Sequence, residues 1–300
     1  MLRALVSGCV LLTLCTLSAP PGLADASIAK RLKTLLSGID GDDGLRVAAR
    51  AVREPAGLGD FYRAREFEPL WTGGRKQRDR AARLIEALNA GAIHGLDPDR
   101  YHLQAIEEAL RSGAWIDAEI LLSDAFLKQA QDRADGALHP PTVAPEWYAL
   151  QGPTDVAPRL ATVADGADPA ETLDGLWPRE PAYWRLLDAK RQLHAETAYH
   201  RHIAIAPGPT LRPGATDPRV PRLRQRLSIP GNGSAVYDDV LAQAVSDFQA
   251  ETGVAADGLL GPATLTHLNK TPTERLNQID ANLERWRWLP AALPPQHILV

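Results

Sequence analysis

Across residues 211–269 the glycines, prolines and apolar residues are spaced so that few backbones accommodate them. Asp217 reads as a helix N-cap with Pro218 at the first helical position, where a missing N–H costs nothing, and Val220, Leu223 and Leu227 follow on one face. Gly231-Asn232-Gly233-Ser234 is loop chemistry, after which Asp238 or Asp239 caps a run carrying Leu241, Val245 and Phe248 at helical spacing. Gly253 is a C-terminal stop, Asp257-Gly258 a tight turn, and Gly261-Pro262 the start of a third helix bearing Leu265 and Leu268. Three short helices around one small core are predicted.

Upstream, from residue 27 to about 202, the pattern is helical almost throughout, with proline and glycine as punctuation and no sustained two-residue alternation. Leu58, Phe61, Tyr62 and Phe67 share a stripe, and Leu84, Ile85 and Leu88 form the apolar face of a helix over about 76–92. Asp97-Pro98 caps a helix running through Tyr101, Leu103, Ile106 and Leu110. Ile120, Leu121, Phe126 and Leu127 crowd a longer helix that ends near Gly136 and is expected to be buried on most sides. The proline-rich stretch 139–158 is predicted to be irregular, anchored by Trp147 and Tyr148, while Asp168 and Glu171 are placed for a capping box. A helix over 181–198 buries Tyr183, Leu186, Leu187 and Leu193, and Ala206-Pro207-Gly208-Pro209 is a stiff linker into the three-helix module. Beyond the module, Thr271-Pro272-Thr273-Glu274 is a capping box for a helix with Leu276, Ile279 and Leu283. Trp286 and Trp288, near its end, are expected to pack between domains.

The fold class is therefore all-α. An irregular helical domain spans 27–206, the three-helix module 207–270, and a linker helix with the start of a β-strand 271–300.

Residues 1–26 read as a secretory signal, with Arg3, an apolar run from Val6 to Leu17, and Ala24-Asp25-Ala26 as a small-x-small cleavage site. The run is shorter than the about 20 residues a membrane span needs, so no integral membrane segment is expected after cleavage. The chain's two cysteines, Cys9 and Cys15, both fall inside that signal. The mature chain then has no disulfide, no thiolate metal site and no cysteine nucleophile. A formal net charge of −4 points to neither nucleic acid nor an anionic membrane surface as partner.

Two resemblances follow from these residues. The order Val220-x-x-Leu223-x-x-x-Leu227, Tyr237-Asp238, Ala244-Val245-x-x-Phe248-Gln249, Gly253, Asp257-Gly258-x-x-Gly261-Pro262-x-Thr264-Leu265 closely resembles the bacterial peptidoglycan-binding domain of the three-helix type. Phe61-Tyr62-x-x-Arg65, Pro69-x-Trp71, His94-Gly95-Leu96-Asp97-Pro98-x-x-Tyr101 and Leu122-x-Asp124-Ala125-Phe126 resemble the scaffold domain of large L,D-transpeptidases of Gram-negative bacteria. That second resemblance implies a three-part enzyme in which a catalytic β-domain follows the phrase Glu284-Arg285-Trp286-Arg287-Trp288-Leu289-Pro290. Gln296-His297-Ile298-Leu299-Val300 reads as its first strand, with Ile298, Leu299 and Val300 expected to be exposed and unpaired.

L,D-transpeptidases work through a cysteine activated by histidine in a His-Gly-Cys context, and that motif does not occur in this sequence. No catalytic residue is assigned. Ser27-x-x-Lys30 has the spacing of the penicillin-binding-protein serine motif without its companion motifs. His194, His200 and His202 cluster, yet apart from Glu196 no carboxylate or thiolate stands at supporting spacing, so neither a metal nor a cofactor is expected. The candidate peptidoglycan contacts are Arg224, Tyr237, Gln249 and Asp257, polar groups around the loops of the module. Together these features describe a periplasmic, peptidoglycan-binding, non-catalytic amino-terminal portion of an L,D-transpeptidase, inactive as it stands. The alternative is a stand-alone wall-binding adaptor that docks another enzyme.

Overall fold

The computed structural model describes residues 21–37, 44–53, 55–147, 152–197, 202–231 and 233–290. The signal stretch ahead of residue 21, Tyr148, His200 and the strand expected at 296–300 lie outside the described residues. The chain divides into two compact units, one of Met1–Ala92 with Leu96–Trp177 and one of Ile93–Gly95 with Pro178–Val300. The division falls ahead of the boundary near residue 206 that the proline-rich linker suggests.

The first unit is helical. Helix α1 (Pro21–Leu36) buries Ile28, Leu32 and Leu36, a stripe four residues apart. It is followed by a hairpin the sequence does not announce, β1 (Arg46–Val47) against β2 (Arg50–Ala51), antiparallel with Val47 opposite Arg50. Its two-residue turn sets Ala48 at φ 47° and Ala49 at φ 62°, the left-handed region that alanine enters at a cost. No period-two pattern marks so short a ladder.

Helices α2 (Pro55–Ala64) and α3 (Arg75–Ala90) come next. The helix expected to start at Asp97 is instead split. A 3-10 turn at Pro98–Tyr101 is separated from α4 (Leu103–Ser112) by His102 at φ 58°. His102 Nε2 lies 2.9 Å from Asp124 Oδ2, and this pairing holds the break open. Helix α5 (Trp115–Asp135) forms the axis of the unit, with Ile120, Leu121, Leu122, Ala125 and Phe126 fully buried, in line with the density of its apolar residues. It packs against α1, α3 and α4.

The proline-rich segment is more regular than its composition suggests, since it contains the one-turn helix α6 (Pro140–Val143). Helix α7 (Ala157–Ala164) then buries Leu160 and Val163. Asp168 caps α8 (Pro169–Asp174) by accepting from Ala170 N and Glu171 N, and its second oxygen takes Arg83 Nε at 3.0 Å. The cap therefore closes with an arginine from α3 in addition to its own backbone.

In the second unit, α9 (Pro181–Thr197) runs antiparallel to α13 (Pro272–Arg287). Lys190 pairs with Asp280 at 2.6 Å, while Tyr183 Oη and Arg287 Nη1 both reach His94, at 2.7 Å from its Nδ1 and 2.9 Å from its carbonyl. Ascending along one helix thus means descending along the other. The capping box of α13 is complete, with Thr271 Oγ1 accepting from Glu274 N and Glu274 Oε2 from Thr271 N. Trp288 is buried and donates to Glu284 Oε1 at 3.0 Å, and Trp286 is half-buried.

Between α9 and α13 lie α10 (Val220–Arg226), α11 (Asp239–Thr252) and α12 (Pro262–Leu268), the three helices the sequence predicts. Their core is Leu211, Val220, Leu223, Tyr237, Leu241, Val245, Leu260, Leu265 and Leu268, joined by Ile205 from the approach segment. Asp217 is a turn residue rather than an N-cap. Its Oδ1 accepts from Arg219 N at 2.8 Å, and the helix starts at Val220, two residues beyond the expected Pro218. Asp238, not Asp239, caps α11 through Leu241 N at 3.0 Å. Gly253, at φ 72°, ends it as expected.

Candidate peptidoglycan-binding site

The Asp257-Gly258 turn is the point at which three of the four candidate contacts meet. Gln249, almost fully buried on α11, accepts from Gly258 N at 2.8 Å. Its Nε2 donates to Asp257 Oδ1 at 2.9 Å, Leu259 O at 3.0 Å and Thr264 Oγ1 at 2.9 Å. With three acceptors for two hydrogens, the amide is saturated, and its orientation is set by the one N–H that requires an oxygen opposite it. Tyr237, fully buried, donates from Oη to Gly258 O at 2.8 Å, while its backbone pairs with Ala215 O and Gly214 N. The phenol and the amide therefore clamp one turn from two sides.

That turn admits only glycine. Gly258 sits at φ 67°, and a Cβ on it would lie 3.0 Å from Ala242 O. Asp257 is exposed, and its Oδ1 accepts from Leu259 N as well as from Gln249. The Leu259 N–H and the Gln249 amide hold its carboxyl below the ordinary aspartate range, so it is ionised at neutral pH. Burial first, and the Asp257 charge second, push the Tyr237 phenol well up, keeping it a neutral donor.

Arg224 is engaged elsewhere. It is buried, pairs through Nη2 with Asp238, and donates through Nη1 to Pro230 O at 3.3 Å. Gly231 lies against its stem, where a Cβ would approach Arg224 Cδ to 2.9 Å. Arg224, Tyr237 and Gln249 are thus the internal frame of the loops, and Asp257 alone of the four presents its side chain to solvent. A fold can reuse polar residues as loop braces, and spacing alone does not separate a brace from a contact.

The first unit holds a second polar cluster that periodicity conceals. Glu119 is buried inside α5 and accepts from Tyr62 Oη at 2.7 Å, from the backbone N–H of Leu70, Trp71 and Thr72, and from Thr72 Oγ1 at 2.8 Å. Ser123, one turn on, accepts from Trp71 Nε1 at 2.8 Å and, because the single Tyr62 hydroxyl hydrogen goes to Glu119, donates to Tyr62 Oη at 2.7 Å. Burial pushes the Glu119 carboxyl up while these donors pull it back. The available sign was a glutamate and a serine four apart on a helix otherwise apolar on that face.

Comparison with known families matches both regions. Residues 56–189 match the family described as "Scaffold domain", and residues 216–268 match the family described as "Putative peptidoglycan binding domain". No curated protein matches the chain. The second unit therefore contains a peptidoglycan-binding domain, and peptidoglycan is the ligand this family supports. Among the described residues no helix is long and apolar enough to cross a membrane.

Proposed function

We propose that the chain is the scaffold and wall-binding part of a periplasmic L,D-transpeptidase system, holding peptidoglycan while a Cys/His domain performs acyl transfer. The observation that carries this reading is the pairing, in one chain, of a scaffold domain with a peptidoglycan-binding domain. The scaffold match includes Tyr62, Trp71, Tyr101 and Asp124, residues on which the resemblance to the transpeptidase scaffold rests. Residues 16–300 contain no cysteine, so the thiol that such chemistry requires is not supplied by them.

In this role the chain positions substrate and makes no covalent bond. A rigid binding module raises the local concentration of stem peptides around any catalytic domain tethered to it. Asp257 is the side chain of the candidate set best placed to meet ligand, with Tyr237 and Gln249 fixing the turn that presents it.

Two measurements test the proposal. The whole chain is expected to sediment with purified sacculi, and equal sedimentation with and without sacculi removes wall binding. Cells in which the coding sequence is disrupted are expected to lose cross-links between the diamino acids of neighbouring stems. An unchanged muropeptide profile separates the chain from L,D-transpeptidation and leaves the adaptor reading.

A further inference from the structure

A groove of about 530 Å³ opens beside the three-helix core, between the approach segment Ala204–Pro207 and the start of α10. This volume falls in the range of small-ligand sites. None of the four candidate contacts lines it.

One wall is an unused backbone edge. Ile205 N donates to Asn269 Oδ1 at 2.8 Å, and Asn269 Nδ2 donates back to Ile205 O at 2.8 Å. Both polar groups of Ile205 therefore point toward Asn269, as in a strand whose partner is a side-chain amide. Ala204 and Ala206 make no hydrogen bond among the described residues, and in an extended chain their polar groups face away from those of Ile205. Both alanines line the groove and are exposed.

The other wall carries charge. Arg219 is buried and fixed, with Nε 2.9 Å from Asp217 Oδ1, and Nη2 3.0 Å from Asp217 Oδ2 and 2.7 Å from Pro209 O. Gly208 closes over its guanidinium, and a Cβ there would lie 2.7 Å from Cζ. Asp217, held well ionised by Arg219, neutralises that charge. Arg222, one turn along, is exposed and has no hydrogen bond or ion pair among the described residues. Pro207 and Pro218 supply apolar surface between the open edge and the free cation.

We infer that this groove binds a short, extended peptide with small side chains and a free carboxylate. The peptide adds along the Ala204–Ala206 edge, and its carboxylate pairs with Arg222. Backbone pairing supplies affinity without needing large side chains, and a planar guanidinium matches a carboxylate in bidentate geometry. Stem peptides of peptidoglycan have this chemistry, alanines and free carboxylates on a short chain, so the inference rests on the wall-binding reading and deepens it.

Titration of the full chain with a soluble stem tetrapeptide, and with the same peptide after its carboxylates are amidated, tests this directly. Arg222→Glu and Arg222→Gln should each weaken binding of the free tetrapeptide about tenfold or more, as should amidation, while circular dichroism stays unchanged because Arg222 is exposed. If wild type sediments with sacculi and the Arg222 variants bind tetrapeptide as wild type does, the groove is not the site, although wall binding stands. If the wild-type chain fails to sediment with sacculi, the wall-binding reading falls and this inference with it.

Discussion

Gln249 shows how one side chain sets a local structure. Its amide joins α11 to the Asp257-Gly258 turn and to Thr264 on α12 through four hydrogen bonds, of which those to Gly258 N and Thr264 Oγ1 are buried. Gln249→Leu has similar volume, leaves Gly258 N without its acceptor, and strips Thr264 Oγ1 of one of its two hydrogen bonds, that to Leu259 O remaining. Unsatisfied buried groups of this kind cost roughly 1 to 3 kcal/mol each, so we expect a loss of about 2 to 4 kcal/mol, read as a lower midpoint in urea. A midpoint within error of wild type would mean water replaces the amide. Ala49 is the opposite case, a residue held in the left-handed region with nothing to gain from its Cβ. Ala49→Gly should raise stability by about 1 kcal/mol, and a decrease would show that the turn has another geometry in solution.

At the scale of elements, side-chain caps mark where several helices begin, with Asp168 on α8, Asp238 on α11 and Thr271 on α13. Asp238 caps α11, and the Leu241 N–H first, then Arg224, hold its carboxyl below the usual aspartate range. A depressed carboxyl pKa contributes stability above the unfolded value of about 3.9 and loses it as pH falls through the folded value. Asp238→Asn keeps a side-chain oxygen for the cap but removes the charge. The variant should therefore be less stable than wild type near neutrality and converge with it in acid. Parallel stability curves from pH about 6 down to about 3 would place the linkage elsewhere. Proline at the first turn recurs in α8, α12 and α13, and there the sequence marks the start of each helix to within a residue. Where the break comes from a partner far along the chain, as His102 is held by Asp124, local signals predict one continuous helix and the structure shows two pieces.

For the whole molecule, the division into two compact units assigns separate consequences to mutation. Glu119→Gln directs amide hydrogens at donors that now meet a carboxylate, and should destabilise the chain by about 2 to 4 kcal/mol. At a temperature where that variant is still folded, sedimentation with sacculi should equal that of wild type, because the peptidoglycan-binding domain is untouched. Gly258→Ala strains the turn that Tyr237 and Gln249 clamp, and should reduce sedimentation under the same conditions. The reverse pattern would move wall binding into the scaffold unit.

The three-helix module was legible from sequence because its signals are local. The capping Asp238, first-turn prolines, turn glycines and apolar residues a helical turn apart each act within a few residues of themselves, and together they leave one arrangement open. The all-helical class of the first region followed from the same periodicity. Tertiary structure alone decided the rest, because those features depend on residues distant in the chain. Glu119 becomes an acceptor for the 70–72 backbone only once α5 is packed against it, and Arg224 becomes a brace only when Asp238 arrives beside it. The groove with Arg222 exists because Asn269, 64 residues away from Ile205, turns the approach segment so that its other edge faces out. Spacing fixes which faces are apolar. Which polar groups are satisfied from within, and which remain for a ligand, is settled only when the chain has closed on itself.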